Sequence, residues 1–163
     1  MSIAHTLENY MVQQGIGYDL MMHAHTHSSM ETAEAAQVPG DELAKAVILE
    51  DEEGYVMAVV PATHNIKLGR LRKQLKRELR LSMERDFSGM FNDCEVGAIP
   101  PVGMVYGIPT IVDDALAEKH DIYFEAGDHE GLIHLHGSEF QSLFATAQHG
   151  RFSTRTWRIA SQA

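Results

Sequence analysis

Residues 46–60 read AVILEDEEGYVMAVV. Ala46-Val47-Ile48-Leu49 and Tyr55-Val56-Met57-Ala58-Val59-Val60 are near-continuous apolar runs, and Asp51-Glu52-Glu53-Gly54 between them has turn chemistry. The segment therefore reads as a hairpin whose strands are covered on both faces, the centre of a sheet. Upstream, Ile3, Leu7, Tyr10, Met11 and Gln14 fall on one helical stripe that Gly15 can stop, and Tyr18 to Met22 reads as a short strand. Ser28 with Glu31 has the spacing of a capping box, which predicts a helix over Ser29 to Gln37 ended by Pro39-Gly40.

Downstream, Leu68, Leu71, Leu75 and Leu79 recur at three and four residues, predicting an amphipathic helix over Leu68 to Arg80, with a shorter helix over Met83 to Met90. Strands are expected at Thr110 to Val112, Ile122 to Glu125 and Leu132 to Leu135, with a helical turn at Ala115 to Lys119. Ser138 with Gln141 repeats the capping-box pattern and opens a helix running to about Gln148, stopped by Gly150, and 151–163 stays ambiguous. The pattern is α+β: a single domain over 1–163, with a mixed, curved sheet flanked by helices.

At 163 residues, 44% hydrophobic and 22% charged, the chain has the composition of one globular domain. A single cysteine, Cys94, allows no internal disulfide. The absence of an export signal or long apolar run points to a cytoplasmic protein away from membranes. A net charge of −10 opposes indiscriminate binding to DNA or RNA. The charge is segregated, however: Lys67, Arg70, Arg72, Lys73, Lys76, Arg77 and Arg80 are opposed within their stretch only by Glu78.

Cys94 to Pro109, CEVGAIPPVGMVYGIP, gathers Gly97, Gly103, Gly107 and three prolines. It reads as a stiff, exposed loop pair, either a connection between strands or a loop whose N–H groups face a ligand. Lys45 heads a strand that is apolar on both faces, on the side of Val47 and Leu49. It is either a lysine snorkelling over the sheet end or a partner for an anion or carbonyl. His23, His25 and His27 alternate and would share a face of an extended segment, but no carboxylate or cysteine at a natural spacing completes a metal site. His129 stands in a turn, where it is structural or functional alike, while His134 and His136 decorate a strand face. Cys94 has no close basic neighbour to make it a nucleophile. There is no nucleophile elbow, phosphate loop or dinucleotide fingerprint.

Six pieces then fall in one order: His23-Ala24-His25-Thr26, Glu31-Thr32-Ala33-Glu34-Ala35-Ala36, Ala44-Lys45, Val59-Val60-Pro61-Ala62, Cys94-Glu95-x-Gly97-x-x-x-Pro101 and Phe124-x-Ala126-Gly127-x-His129. Over about residues 18–145 the chain resembles the YbaK/ProX family, free-standing aminoacyl-tRNA deacylases related to the editing insert of bacterial prolyl-tRNA synthetase. The resemblance implies a YbaK/prolyl-tRNA synthetase-associated fold and a hydrolase that clears mischarged tRNA in trans, without cofactor or metal. It places the family's lysine on Lys45, its Gly-x-x-x-Pro loop on Gly97, Ala98, Ile99, Pro100 and Pro101, and its pocket histidine on His129. Lys45, Gly97 and His129 are then the catalytic candidates, and the loop with Gly127 and His25 the substrate-binding ones. Aminoacylated tRNA is the expected partner, with an aminoacyl-tRNA synthetase as a second candidate, and Arg70, Arg72, Lys73, Lys76 and Arg77 are the candidate track for the tRNA backbone. A different class of function fits the same residues: a module that grips a tRNA end or a synthetase without turnover.

Overall fold

The structure, a computed structural model, describes residues 4–156 except 96. The hairpin at 46–60 forms as expected and extends further: β2 (Leu43–Asp51) pairs antiparallel with β3 (Gly54–Pro61) from Ala44↔Pro61 to Asp51↔Gly54. It follows α1 (His5–Gln14), β1 (Asp19–Met22) and α2 (Ser29–Ala36). After the hairpin come β4 (His64–Ile66), α3 (Leu68–Leu75), β5 (Arg80–Leu81), α4 (Glu84–Phe87), β6 (Thr110–Asp113), β7 (Asp121–Glu125), β8 (Gly131–His136), α5 (Gly137–Leu143), β9 (Gln148–Gly150) and β10 (Ser153–Arg155).

The main sheet runs β1-β8-β7-β2-β3-β6-β9, mixed in direction, while β4 and β10 form a separate pair. Its decisive feature is at β2. One edge of that strand is zipped to β3; the other is shared by β7, which pairs in parallel only at Leu43 and Ala44, and by β5, which pairs only at Leu49 and Glu50. The edge between them has no strand partner among the described residues, which opens a notch at Lys45–Val47.

Side-chain alternation divides the core between the faces of the sheet. On one, Leu7 and Met11 of α1 and Phe140 and Leu143 of α5 pack with Met57, Val59, Ile122, Phe124, Ile133 and Leu135. On the other, Leu71 of α3 and Leu79 pack with Leu49, Val56, Ala58, Val60, Ile111 and Phe152. A smaller group, Ala33, Leu43, Ala62 and Leu132, seats α2. Ser28 caps α2 by accepting from Glu31 N–H at 3.2 Å, while Glu31 in turn accepts from His27 N–H rather than from Ser28. Gly15 closes α1 at φ +66°. Ile3 of the α1 stripe lies outside the described residues, and of the ambiguous tail 153–155 forms β10.

Three sequence expectations are corrected. The helix expected over Leu68 to Arg80 ends at Leu75, because Lys76 turns left-handed at φ +55°. Arg77 then forms a two-pronged ion pair with Asp51 (2.7 and 2.6 Å), and Leu79 still reaches the core from extended chain. Apolar spacing recorded burial there, not continued helix. The helix expected to run to Gln148 stops at Leu143. It is closed at its start by Glu139 accepting from His136 N–H, not by the Ser138–Gln141 pair, and Gln148–Gly150 instead covers the edge of β6. The loop expected to be exposed is largely internal: Ala98, Pro100, Pro101, Val102 and Gly103 are buried. Prolines enter an interior without orphaning an N–H, and Gly103 lets the chain lie directly on Thr110 and Met57.

The Arg77 guanidinium holds the Asp51 carboxyl well below its usual 3.8, at about 2. A carboxylate depressed on folding stabilises above its unfolded pKa and loses that contribution as pH falls through the folded one. Arg77→Met is therefore expected to lower the melting temperature at neutral pH, with the gap to the parent closing as pH falls from about 4 towards 2. A gap that stays constant across that range in thermal unfolding would show the ion pair to be stability-neutral.

Candidate functional site

Lys45, the third residue of β2, stands where β7 peels away and faces the same side as its partner Val60. It is half-buried, its Nζ lies 3.4 Å from Ala62 O, and burial pushes its pKa down. It lines two cavities. The larger, about 510 Å³, also has Thr63, Asn65 and Arg155 in its wall. The smaller, about 100 Å³, occupies the notch and is lined as well by Ser29, Ala46, Gly97, Ile99 and Glu125. Lys45 and Gly97, 52 positions apart in the chain, thus line one cavity. A further cavity of about 310 Å³, between α5 and the β6–β9 edge, contains none of these groups.

Behind Gly97 lies a buried polar cluster. Glu125 ends β7 and is 4% exposed; His129 is 3% exposed and held at φ +61° in the turn to β8, where Asp128 accepts from Glu130 N–H and Gly131 N–H. His129 Nδ1 is 3.3 Å from Glu125 Oε2, the oxygen that also accepts from Thr32 Oγ1 at 2.9 Å. Since the one Thr32 hydroxyl proton goes to Glu125, Thr26 must donate in the 2.6 Å contact between the two threonines. His129 Nε2 points the other way, 3.2 Å from where a Gly97 Cβ would be. Only glycine leaves that space open, and Gly97 also sits at φ +82°.

The second oxygen of Glu125 faces His23 Nε2 at 3.8 Å, and neither atom has a hydrogen-bond partner among the described residues. His23 Nδ1 lies 2.8 Å from Ala24 O, an acceptor only, so Nδ1 carries a hydrogen. Burial raises the pKa of Glu125, against the lowering effects of Thr32, His129 and His23.

His25 lies beside His129, its Nε2 3.1 Å from Glu95 Oε1 and its ring 5.5 Å from that of His129. His23, His25 and His27 do not present one face: the first side chain is 1% exposed and turned inward, the second 40% exposed. Gly127 accepts from Glu95 N–H (2.7 Å) and packs against Ala4, joining the loop to the β7–β8 turn. Ala98 N–H is spent on Glu95 O, so it is not turned to a ligand, and Ala98, Pro100 and Pro101 support the loop from inside. Burial pushes the Cys94 thiol up to about 12, which removes it as a nucleophile. Of the basic side chains, Arg70, Lys73 and Lys76 are exposed, whereas Arg72 donates to Leu79 O and Arg77 is held by Asp51.

The model of the aminoacyl-tRNA editing domain matches residues 23–143, a span that starts at the buried His23 and takes in Lys45, the Gly97 loop and His129. The chain belongs to the aminoacyl-tRNA editing domain family. A comparison with curated proteins gives no match. Among solved structures it is similar to a hypothetical protein (TM-score 0.82, 20% identity, covering 92% of this chain and 100% of that one). It is also similar to a protein provisionally assigned as a trans-editing enzyme for prolyl tRNA synthetase (TM-score 0.80, 19% identity, 93% and 96%). A third likeness is to a protein of Marinobacter aquaeolei provisionally assigned to signal transduction (TM-score 0.73, 21% identity, 91% of this chain but 30% of that one). At these identities the structures establish the fold of the editing domain. No helix among the described residues is long and apolar enough to cross a membrane.

Glu125 and Thr32 were given no site role from the sequence of this editing domain, and His23 was marked only as one of three alternating histidines. The signal was a carboxylate closing the otherwise apolar Ile122-Tyr123-Phe124 run. A carboxyl whose pKa is raised on folding favours the fold while protonated and weighs against it as pH rises through the folded pKa. Glu125→Gln, a neutral isostere, is therefore expected to gain in melting temperature relative to the parent as pH rises from 4 to 8. A difference that does not change with pH would mean that His23 and His129 fully compensate the buried charge.

Proposed function

We propose that this editing domain is a metal-independent deacylase that hydrolyses mischarged aminoacyl-tRNA in trans at the Lys45–Gly97 notch. The observation that carries the reading is the sharing of one small cavity by Lys45, Gly97 and Glu125, with His129 packed against Gly97. An aminoacyl ester is already reactive, so a placed water and compensation for the developing oxyanion suffice, without an activated side-chain nucleophile.

In this mechanism Lys45 holds a terminal phosphate or the ester carbonyl, its low hydration making the charge more effective there. The backbone at Gly97 admits the substrate, whose own ribose hydroxyl assists the water, while His129 packs beneath Gly97 and shapes the floor of the site. The water oxygen bonds to the carbonyl carbon, the carbon–oxygen bond to ribose breaks, and the ribose oxygen leaves with a proton. Free amino acid and tRNA result. Arg70, Lys73 and Lys76 offer unengaged charge to the tRNA backbone, whereas Arg72 and Arg77 would contribute only by giving up Leu79 O and Asp51.

Lys45→Ala is expected to lower single-turnover deacylation of a mischarged tRNA by about a hundredfold with little change in thermal unfolding, and Lys45→Arg to be poor as well. Near-normal turnover in a well-folded Lys45→Ala protein would remove the residue from the mechanism, and tight binding of charged tRNA without release of amino acid by the parent would favour the non-catalytic module. Turnover is expected to survive a chelator; loss that added zinc restores would overturn the metal-free chemistry. Neutralising Arg70, Lys73 and Lys76 together is expected to weaken binding of different tRNAs alike and to flatten the log–log salt slope by about 2. An unchanged slope would make that surface a solvated one.

A further inference from the structure

At the other end of β7 from Glu125, three strands bring their polar faces together. The pairing of β7 with β8 sets Asp121 opposite His136 and Tyr123 opposite His134, and the pairing of β1 with β8 sets Asp19 opposite His134. His134 and His136, two apart on one strand, face the same way. One donor atom from each of Asp121, His134 and His136 lies within 4.8 Å of the others. His134 Nε2 is 2.7 Å and His136 Nδ1 3.7 Å from the same Asp121 oxygen. Tetrahedral zinc with bonds of about 2.0–2.1 Å sets its ligand atoms roughly 3.3 Å apart, so small rotations of these side chains are enough to surround an ion.

Two further contacts orient the set. His134 Nδ1 lies 3.2 Å from Asp19 Oδ2, the carboxylate–histidine arrangement that fixes the tautomer of a metal-bound imidazole. The Tyr123 ring stacks on the His134 ring at 4.7 Å and 19°, holding its plane. Two imidazoles and a carboxylate suit a borderline divalent ion and leave one tetrahedral position to water, and the two aspartates favour a cation on a chain of net charge −10.

We propose that Asp121, His134 and His136, with Asp19 behind His134, form a binding site for Zn²⁺ or a similar divalent transition-metal ion that clamps β7 to β8. The site stands roughly 13 Å along β7 from Glu125, from the 3.3 Å rise per residue of a strand, and is independent of the notch. The occupant it must displace is the proton shared by His134 and Asp121.

The test is calorimetric titration of tag-free, full-length protein, stripped with a chelator, with Zn²⁺ alone. One equivalent is expected to bind and to raise the melting temperature, and Co²⁺ in its place to give the visible absorption of a tetrahedral centre. His134→Ala and His136→Gln are expected to weaken binding at least tenfold and Asp19→Asn about tenfold, while His25→Ala with His27→Ala leaves it unchanged. His136 is 68% exposed in its side chain, so His136→Gln keeps the test decisive should His134→Ala fail to fold. Absence of saturable binding would show the cluster to be a proton-bound ion pair, and binding that survives His136→Gln but is lost with His25 and His27 would place the ion elsewhere; either result overturns the proposal.

Discussion

The structure depends on a strand with one complete edge and one divided edge. Along β3, β2 forms an unbroken antiparallel ladder from Ala44 to Asp51, the longest among the described strands. Along its other edge, β7 leaves after Ala44 and β5 arrives only at Leu49. Backbone groups in such a gap must meet water, a side chain or a ligand, because they have no ladder. The gap therefore creates a small polar opening in the middle of an apolar sheet. Lys45 is placed at its rim by the register of the hairpin, and Gly97 and Ile99 of the loop line the same cavity.

Behind that loop the fold tolerates an electrostatic cost. Glu125 is buried with two histidines and a threonine, and Glu125 Oε1 and His23 Nε2 face each other unbonded at 3.8 Å. A segment needing only stability would be served as well by an apolar residue beside Phe124. The carboxyl stands 3.3 Å from His129 Nδ1, and the left-handed turn at His129 brings its other nitrogen against Gly97, where only glycine leaves room. Asp128 stabilises that turn by accepting two backbone N–H groups, so the strain at one residue is spread over the whole β7–β8 connection.

The same strand pairing that builds this cluster at one end of β7 builds another at its opposite end. Asp19, Asp121, His134 and His136 come together because three strands stay in register across the outer face, while Ile122, Phe124, Ile133 and Leu135 hold the inner face in the core. Charge is concentrated where the sheet is least covered. Near α3 the opposite logic holds: Arg77 and Asp51 neutralise each other across the hairpin turn and fasten the 77–81 segment to β2.

Local pattern was enough for the elements whose residues satisfy each other nearby. The hairpin, α1 with Gly15, α2 with Ser28, and strands β6, β7 and β8 were legible because apolar period, caps and turn residues act over a few positions. The order of motifs likewise carried the family, with Lys45, Gly97 and His129 marked within it. What local pattern could not distinguish was burial from helix: Leu79 and 148–150 are placed by the partners they cover, and a leucine spacing or a capping pair says nothing of those partners. Nor could it show that Ala98, Pro100 and Pro101 point inward, since glycine and proline report backbone freedom and not the side on which the core lies. Glu125 and His23, 102 residues apart, acquire their meaning only in contact. The sequence by itself determined the central strands, the family and the residues worth watching; the tertiary structure alone decided which of them line one cavity or meet in one buried cluster, because such distances are set by β-register and burial between segments that are remote in the chain.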